Sequence, residues 1–329
     1  KFCLECLEKS RLSCHDPKFI MKYAIIFPGQ GSQSLGMLSE LADHFSIVKD
    51  TFNEASDALG FDLWKLTQED QEALNQTQNT QPAMLAAGYA TYKVLTSQSD
   101  LSPVCMAGHS LGEYTALVAS GALGFSDAIK LVRTRAQLMQ SAVPEGVGAM
   151  AAILGLDDEV VVKVCHDYAG EGIVQAVNFN SNGQVVIAGN KAAVDATCEA
   201  MKAAGAKRAV VLPVSVPSHC SLMDDAAGEF KHAVDALDFN MGSVDVLHNV
   251  DASKAADINE MKAKLVAQLH KPVLWTGTVR AMHAMGVEKL IEAGPGKVLA
   301  GLTRRIEKSL SANAVLDSAG VASALEEIK

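Results

Sequence analysis

The segment PVCMAGHSLGEYTALVASGAL, residues 103–123, decides which fold this chain is expected to adopt. It opens with PVCMA, an apolar run typical of a buried strand, and continues into LGEYTALVASGAL, which is predicted to form a helix. Between them, GHSLG matches the G-x-S-x-G pattern, in which a strand turns sharply into a helix and exposes a serine hydroxyl. The order of strand, tight turn and helix predicts a fold of the α/β class.

Two glycines flank Ser110 in this turn, and the tightness of the turn explains why. A Cβ atom at Gly108 or Gly112 would collide with the close-packed chain. The helix begins just after the serine, which leaves the backbone N–H of Leu111 free to face a developing oxyanion. A glycine-rich turn with a surface serine is the alternative. The strand before the turn and the helix after it favour a nucleophile.

A serine nucleophile requires a general base, and His219 is the strongest candidate among the nine histidines. It lies in PVSVPSHC, where Pro213 and Pro217 stiffen the approach and no charged residue is near. A structural histidine is the alternative. Between Ser110 and His219 no acidic residue stands out in a stiff loop. A Ser–His dyad oriented by a backbone carbonyl therefore stays open.

Two further glycine-rich loops follow predicted strands. FPGQGSQSLG, residues 27–36, resembles the dinucleotide-binding fingerprint, but Ser34 occupies its third glycine position. A loop of this kind at the carboxyl end of a strand can instead supply a backbone N–H to an oxyanion. AGPGKVL, residues 293–299, lacks the spacing of a phosphate-binding loop and is predicted to be a strand-to-helix turn.

The remaining patterns divide the chain into regions. YAIIF at 23–27 predicts a buried strand, and helices are predicted over 37–59 and over 80–96, the latter capped by Thr80. Residues 147–214 have the order β-α-β-β-α-β, the ferredoxin-like arrangement. We expect them to form a small domain inserted into a larger one of residues 21–146 and 215–329. Residues 1–20 are expected to be a disordered extension.

Composition excludes several classes of function. The net charge of −10 argues against a general nucleic-acid binder, because phosphate contacts need clustered lysine and arginine. The sequence holds no apolar run long enough to cross a membrane, and its first twenty residues do not have the pattern of a signal peptide. The net charge does not exclude one local basic patch.

The cysteines indicate a reducing environment. Four of them lie singly in apolar segments, which favours reduced thiols of a cytoplasmic protein over a disulfide framework: Cys105, Cys165, Cys198 and Cys220. Four residues near the start would fit a zinc knuckle only at an unusual spacing, and a disordered extension is preferred to a metal site there: Cys3, Cys6, Cys14 and His15.

Seven motifs together resemble those of the malonyl-CoA:acyl carrier protein transacylases of fatty-acid synthesis. They are FPGQGSQ (27–33), NTQPA (79–83), GHSLGEY (108–114), LVRTRAQLMQ (131–140), NFNSNGQVVIAG (178–189), VPSHC (216–220) and GPGKVL (294–299). The resemblance covers the chain from Met21 onward. It implies an α/β-hydrolase-like large domain with an inserted ferredoxin-like small domain.

The resemblance also implies which residues form the site. These are the nucleophile Ser110, the base His219, the oxyanion-hole amides of Gln30 and Leu111, and Arg135 as the partner of the malonyl carboxylate. The family orients its histidine with a backbone carbonyl, which the resemblance assigns to Leu274. Relatives often have glutamine at that position, so no side-chain role is carried over to the leucine.

The expected role of Arg135 can be weighed on physical grounds. A surface arginine lying along its helix is the alternative. A buried guanidinium would instead pair with a carboxylate through two parallel hydrogen bonds. An acetyl group would leave that charge unpaired at a cost of about 3–5 kcal/mol, so one arginine would supply most of the preference for malonyl.

The function implied by the resemblance is malonyl transfer from malonyl-CoA to the phosphopantetheine thiol of acyl carrier protein, by ping-pong catalysis through a malonyl-serine ester. We expect no bound cofactor or metal, coenzyme A as a substrate thioester, and a cytoplasmic monomer that binds neither nucleic acid nor membrane. The alternatives are a serine hydrolase such as a thioesterase, a transferase of another acyl group such as methylmalonyl, and a catalytically silent carrier-protein-binding module.

Five basic residues are candidates for contacts with an acidic carrier protein: Lys202, Lys207, Arg208, Arg304 and Arg305.

Overall fold

The computed structural model describes residues 21–214 and 216–328, which contain two β-sheets and the helices around them. The expectations of disorder and of a zinc knuckle in residues 1–20 lie outside the described residues. The strands are β1 (Tyr23–Phe27), β2 (Cys105–Gly108), β3 (Gly148–Leu154), β4 (Val174–Ser181), β5 (Gln184–Asn190), β6 (Arg208–Val211), β7 (Val246–Leu247), β8 (Lys289–Ala293) and β9 (Ser311–Val315).

The α-helices are α1 (Ser39–His44), α2 (Ser46–Leu59), α3 (Leu63–Glu69), α4 (Gln71–Asn75), α5 (Thr77–Gln98), α6 (Gly112–Ala119), α7 (Phe125–Ser141), α8 (Asp158–His166), α9 (Lys191–Ala203), α10 (Asp224–Asp235), α11 (Ile258–Ala267), α12 (Trp275–Ala284), α13 (Val298–Ile306) and α14 (Ser318–Glu327). A short 3₁₀ helix, Ser221–Met223, precedes α10. No described helix is both long and apolar enough to cross a membrane.

The first sheet has five strands in the order β7-β2-β1-β8-β9, and every neighbouring pair in it is parallel. All five residues of β1 are buried, as expected for a central strand with helices on both faces. The carboxyl ends of parallel strands share one edge of the sheet. The loops after β1 and β2, which contain FPGQG and GHSLG, therefore lie side by side.

The second sheet is antiparallel and has the order β4-β5-β3-β6. The helices α8 and α9 pack on it through a separate apolar cluster that includes Val161, Ile187 and Val194. The chain order of strands and helices over this region is the predicted β-α-β-β-α-β. The segment before α12 pairs with β4 of this sheet through Val273, whose N–H donates to Val177 at 2.8 Å and whose carbonyl accepts from Phe179 at 3.0 Å.

Two helix predictions were wrong in their bounds. The single helix expected over residues 37–59 is split into α1 and α2 at Phe45, whose backbone is extended. The helix expected from Thr80 begins at Thr77. The Thr80 hydroxyl does not cap it, because it donates to the carbonyls of Leu74 at 2.5 Å and Gln76 at 3.1 Å. The helix thus starts about one turn earlier, directly after α4.

Candidate active site

The turn from β2 to α6 places Ser110 at its apex with a backbone φ of 50°. A Cβ at Gly108 would lie 1.9 Å from the carbonyl carbon of Gly112, and a Cβ at Gly112 would lie 2.1 Å from the carbonyl oxygen of Phe27. Both separations are far below van der Waals contact, so only glycine fits at either position. This close approach holds the turn against the end of β1 and keeps the serine in a strained conformation.

His219 lies next to this serine. Its Nε2 is 2.9 Å from Ser110 Oγ, and its own φ is 66°, so both residues have left-handed backbones. Burial, reinforced by the charge of Arg135, lowers the pKa of His219 to about 3. The imidazole is therefore neutral at neutral pH, the form that can accept the proton of the serine.

The other ring nitrogen of His219 identifies the orienting group. The backbone carbonyl of Gln268 is 2.6 Å from Nδ1, and the next carbonyl, that of Leu269, accepts from the His219 N–H at 2.9 Å. The assignment of this role to Leu274 was wrong. The Leu274 carbonyl accepts instead from the Thr278 N–H at 2.9 Å, because it begins the hydrogen-bond ladder of α12.

Arg135 reaches the same point from α7, and it is not a surface arginine, since only 1% of it is exposed. Its Nη1 donates to Gln81 Oε1 at 2.9 Å, and its Nη2 donates to Gln268 Oε1 at 2.9 Å and to Ser110 Oγ at 3.2 Å. Burial lowers the pKa of the guanidinium. Across residues 21–214 and 216–328, no carboxylate lies within ion-pair distance of Arg135, so a buried cation faces the serine through neutral partners.

The two predicted oxyanion donors lie at the edge of the same cavity. Gln30 and Leu111 both line it beside Ser110. In the part of the chain that the structure describes, neither backbone N–H has a hydrogen-bond partner. Free amides at the end of a strand and at the start of a helix are suited to stabilise negative charge.

The cavity has a volume of about 560 Å³, which lies in the usual range for small-molecule sites. One wall comes from the turn after β2 and from α7, which supply Ser110 and Arg135, and another lies on the side of the antiparallel sheet, with Met150, Asn178 and Leu212. Among the described residues, no cluster of His, Cys, Asp and Glu side chains is arranged to hold a metal ion. The four described cysteines are free and buried.

The structure adds buried polar residues that the sequence analysis did not single out. Asn249, two residues after β7, accepts the Ser110 N–H on Oδ1 at 2.6 Å and donates from Nδ2 to the Gly108 carbonyl at 2.7 Å. Gln81 lies within the NTQPA motif, so a signal for it existed. Asn249 and Gln268 carry no motif, and only the folded chain brings them to the turn.

The five candidate basic residues lie away from the cavity walls. Lys202 forms an ion pair with Glu199 at 2.7 Å, and Arg305 donates to Gln184 at 2.8 Å beside the β4–β5 turn. None of the five is among the residues that line the cavity. A role for them in binding a carrier protein stays a prediction.

Comparison with known proteins adds an independent finding. A family model described as "Acyl transferase domain" matches residues 24–324. Over 306 residues the chain is 53% identical to the malonyl CoA-acyl carrier protein transacylase of Escherichia coli (strain K12), covering 93% of this chain and 99% of the relative.

Solved structures agree with that similarity. An acyl carrier protein S-malonyltransferase from Vibrio cholerae O1 biovar eltor superimposes with a TM-score of 0.90 at 54% identity, covering 92% of this chain and 99% of the other. A malonyl-transacylase solved in complex with its type II PKS acyl-carrier protein gives a TM-score of 0.92 at 51% identity, covering 93% of this chain and 99% of the other. The resemblance inferred from the seven motifs is therefore confirmed.

Proposed function

Because this chain belongs to the acyl transferase domain family, we propose that it transfers a malonyl group from malonyl-CoA to the phosphopantetheine thiol of acyl carrier protein. The observation that carries the substrate assignment is Arg135, a buried cation 3.2 Å from Ser110 Oγ that has no carboxylate partner among the described residues. A malonyl carboxylate would supply that partner.

The first half-reaction acylates the serine. His219 takes the proton of Ser110 as the oxygen attacks the thioester carbonyl, and the amides of Gln30 and Leu111 stabilise the tetrahedral oxyanion. The C–S bond then breaks. Coenzyme A leaves as a thiol with the proton from His219, and a malonyl ester remains on the serine.

The second half-reaction reverses these roles toward a new thiol. The phosphopantetheine thiol enters the cavity that coenzyme A has left, and His219 removes its proton as the sulfur attacks the serine ester. Collapse of the intermediate forms the malonyl thioester and returns the proton to Ser110. The Gln268 carbonyl holds the imidazole and stabilises it while it carries the extra proton, the role that a carboxylate has in a catalytic triad.

We also propose the finer architecture and setting. The strand order β4-β5-β3-β6 supports a ferredoxin-like small domain of residues 147–214. The all-parallel sheet, with its serine at a strand-to-helix turn, supports an α/β-hydrolase-like large domain of residues 21–146 and 215–329. The enzyme would act as a cytoplasmic monomer without a bound cofactor.

The test is intact-mass measurement after brief exposure to malonyl-CoA or acetyl-CoA. The parent is expected to form a malonyl adduct that carrier protein removes, and Ser110→Ala is expected to form none. Arg135→Ala should reduce the preference for malonyl over acetyl by about a hundredfold or more, because it removes the buried partner of the carboxylate. Arg133→Ala is the matched control. Arg133 lies on α7 like Arg135, but its guanidinium packs over the ring of Phe61 instead of facing the serine.

The outcomes separate the alternatives. Release of free malonate without transfer to carrier protein would make the enzyme a hydrolase. An adduct that persists in Ser110→Ala would exclude the serine as nucleophile. An equal loss of preference in Arg133→Ala and Arg135→Ala would remove the arginine from substrate recognition.

A further inference from the structure

Glu113 lies in the first turn of α6, three residues after Ser110, and none of it is exposed. Three donors converge on its carboxylate: His248 Nδ1 at 2.7 Å, the Asn249 N–H at 2.9 Å and Gln268 Nε2 at 2.8 Å. A buried carboxylate that only accepts hydrogen bonds is stable when donors surround it. The proposed reaction assigns no step to this group, although it accepts a hydrogen bond from Gln268, a residue that contacts Ser110, His219 and Arg135.

Gln268 connects this carboxylate to Arg135. Its Nε2 donates to Glu113 and, at 2.9 Å, to the backbone carbonyl of Ser110, while its Oε1 accepts from Arg135 Nη2 at 2.9 Å. The same residue orients His219 with its backbone carbonyl. One amide side chain thus lies between a buried anion and the buried cation that faces the serine.

We propose that Glu113 is a positioning residue that fixes the side-chain amide of Gln268 and thereby aims Arg135 at the carboxylate of the acyl substrate. The inference rests on the proposed function and deepens it, because it names what determines acyl selectivity beyond the arginine itself.

The physical reason is that the amide has two ends of opposite character. A carboxylate can only accept, so Gln268 must turn Nε2 toward Glu113, and a reversed amide would set two acceptors against each other. A guanidinium can only donate, so Oε1 must face Arg135. Glu113 and Arg135 therefore impose the same orientation from opposite sides. With Glu113 changed to glutamine, one of these two constraints is lost.

The experiment compares Glu113→Gln with Glu292→Gln. Glu292 is the matched control, a second fully buried glutamate that accepts backbone N–H groups but forms no hydrogen bond with Ser110, His219 or Arg135. Acylation rates with malonyl-CoA and acetyl-CoA are measured for each variant and for the parent. We expect the malonyl-to-acetyl rate ratio to fall about tenfold or more in Glu113→Gln, the size of losing a hydrogen bond to a charged group, and to stay at the parent value in Glu292→Gln.

Gln268→Met keeps the length of the side chain and its backbone carbonyl but removes the amide. It should lower the same ratio, and the double variant should lower it no further than the larger single effect, because both changes break one connection. If Glu113→Gln does not fold, Gln268→Met alone decides, and an unchanged ratio in that variant overturns the proposal.

Two further results would overturn it. Equal losses with both substrates in Glu113→Gln would mean that the glutamate only stabilises the fold. A ratio that rises would mean that the negative charge of Glu113 repels the substrate more than its hydrogen bonds help. Failure of the proposed function looks different, since the parent itself would then form no malonyl adduct or show no preference for malonyl.

Discussion

Two strand-to-helix turns lie at the same edge of the parallel sheet, and only one of them is suited to catalysis. The turn from β2 to α6 carries Ser110, and the turn from β8 to α13 carries the predicted AGPGKVL loop. Each has a fully buried glutamate nearby. Glu292 accepts the N–H groups of Leu299 and Ala300, at 3.2 and 2.7 Å, and so occupies the start of its helix. Glu113 turns its carboxylate away toward Gln268 and His248.

The difference concerns what a helix start can bind. The N-terminus of a helix attracts negative charge because its first N–H groups lack partners. In α13 the side chain of Glu292 already accepts these N–H groups. At α6 the Leu111 N–H has no partner within the described residues, which leaves it available to a transient oxyanion. The position of the buried acid therefore separates a structural turn from the turn that we propose to be catalytic.

The largest expected effect comes from a substitution that disrupts the turn around Ser110 itself. Gly112→Ala should reduce the free energy of unfolding by about 4 kcal/mol, because its Cβ would meet the Phe27 carbonyl oxygen, a backbone atom, at 2.1 Å. Urea unfolding of the purified variant measures this loss. A loss below about 1 kcal/mol would show that the turn can relax and that its tightness is not required.

The next effect concerns stability as a function of pH, for which His219, the partner of Ser110, and Glu292 should have opposite effects. Burial holds the pKa of His219 at about 3, below its ordinary 6.5, and burial raises the pKa of Glu292 to about 7, above its ordinary 4.5. Between pH 6.5 and about 3 the unfolded chain binds a proton that folded His219 does not, so acid destabilises the fold through this residue. Between pH 4.5 and about 7 folded Glu292 keeps a proton that the unfolded chain has lost, so rising pH destabilises it.

Urea unfolding at several pH values within the shared interval of 4.5 to 6.5 tests these signs. The stability of the parent minus that of His219→Asn should rise with pH, and the stability of the parent minus that of Glu292→Gln should fall, each by up to ~1.4 kcal/mol per pH unit. Asparagine suits the histidine position because it tolerates a left-handed backbone. Two slopes of the same sign would contradict the assignment of one of the two groups.

The smallest effect lies in the helix of the structural turn. Gly301 is inside α13 and has open space around the position of a Cβ. Gly301→Ala should raise the free energy of unfolding by about 0.5–1 kcal/mol, because alanine restricts the unfolded chain and favours the helix. Thermal unfolding at fixed pH measures the gain. Destabilisation instead would mean that this helix needs the freedom of glycine, and the contrast with Gly112 would weaken.

Much of the architecture followed from local patterns. The β1 strand, the turn around Ser110, the order of elements over residues 148–211 and the turn after β8 lie where the sequence predicts them, because each has its own periodicity or turn residues. The helix bounds near Phe45 and Thr80 did not follow, since they depend on contacts with neighbouring helices. The strand β9 and the helix α14 also carry no local signal that was recognised.

The sequence by itself determined the chemical groups of the site: a serine held between two glycines, a histidine in a proline-stiffened segment and, through the family motifs, an arginine. Only the tertiary structure decided how these groups are oriented. The carbonyl that holds His219 belongs to Gln268 and not to Leu274, and the amide of Gln268 connects Glu113 with Arg135. Local sequence specifies a strand or a turn because neighbouring residues interact directly. Partners far apart in the chain, such as Ser110 and Asn249, meet only when the sheet has formed, so their hydrogen bonds leave no periodic trace in the sequence.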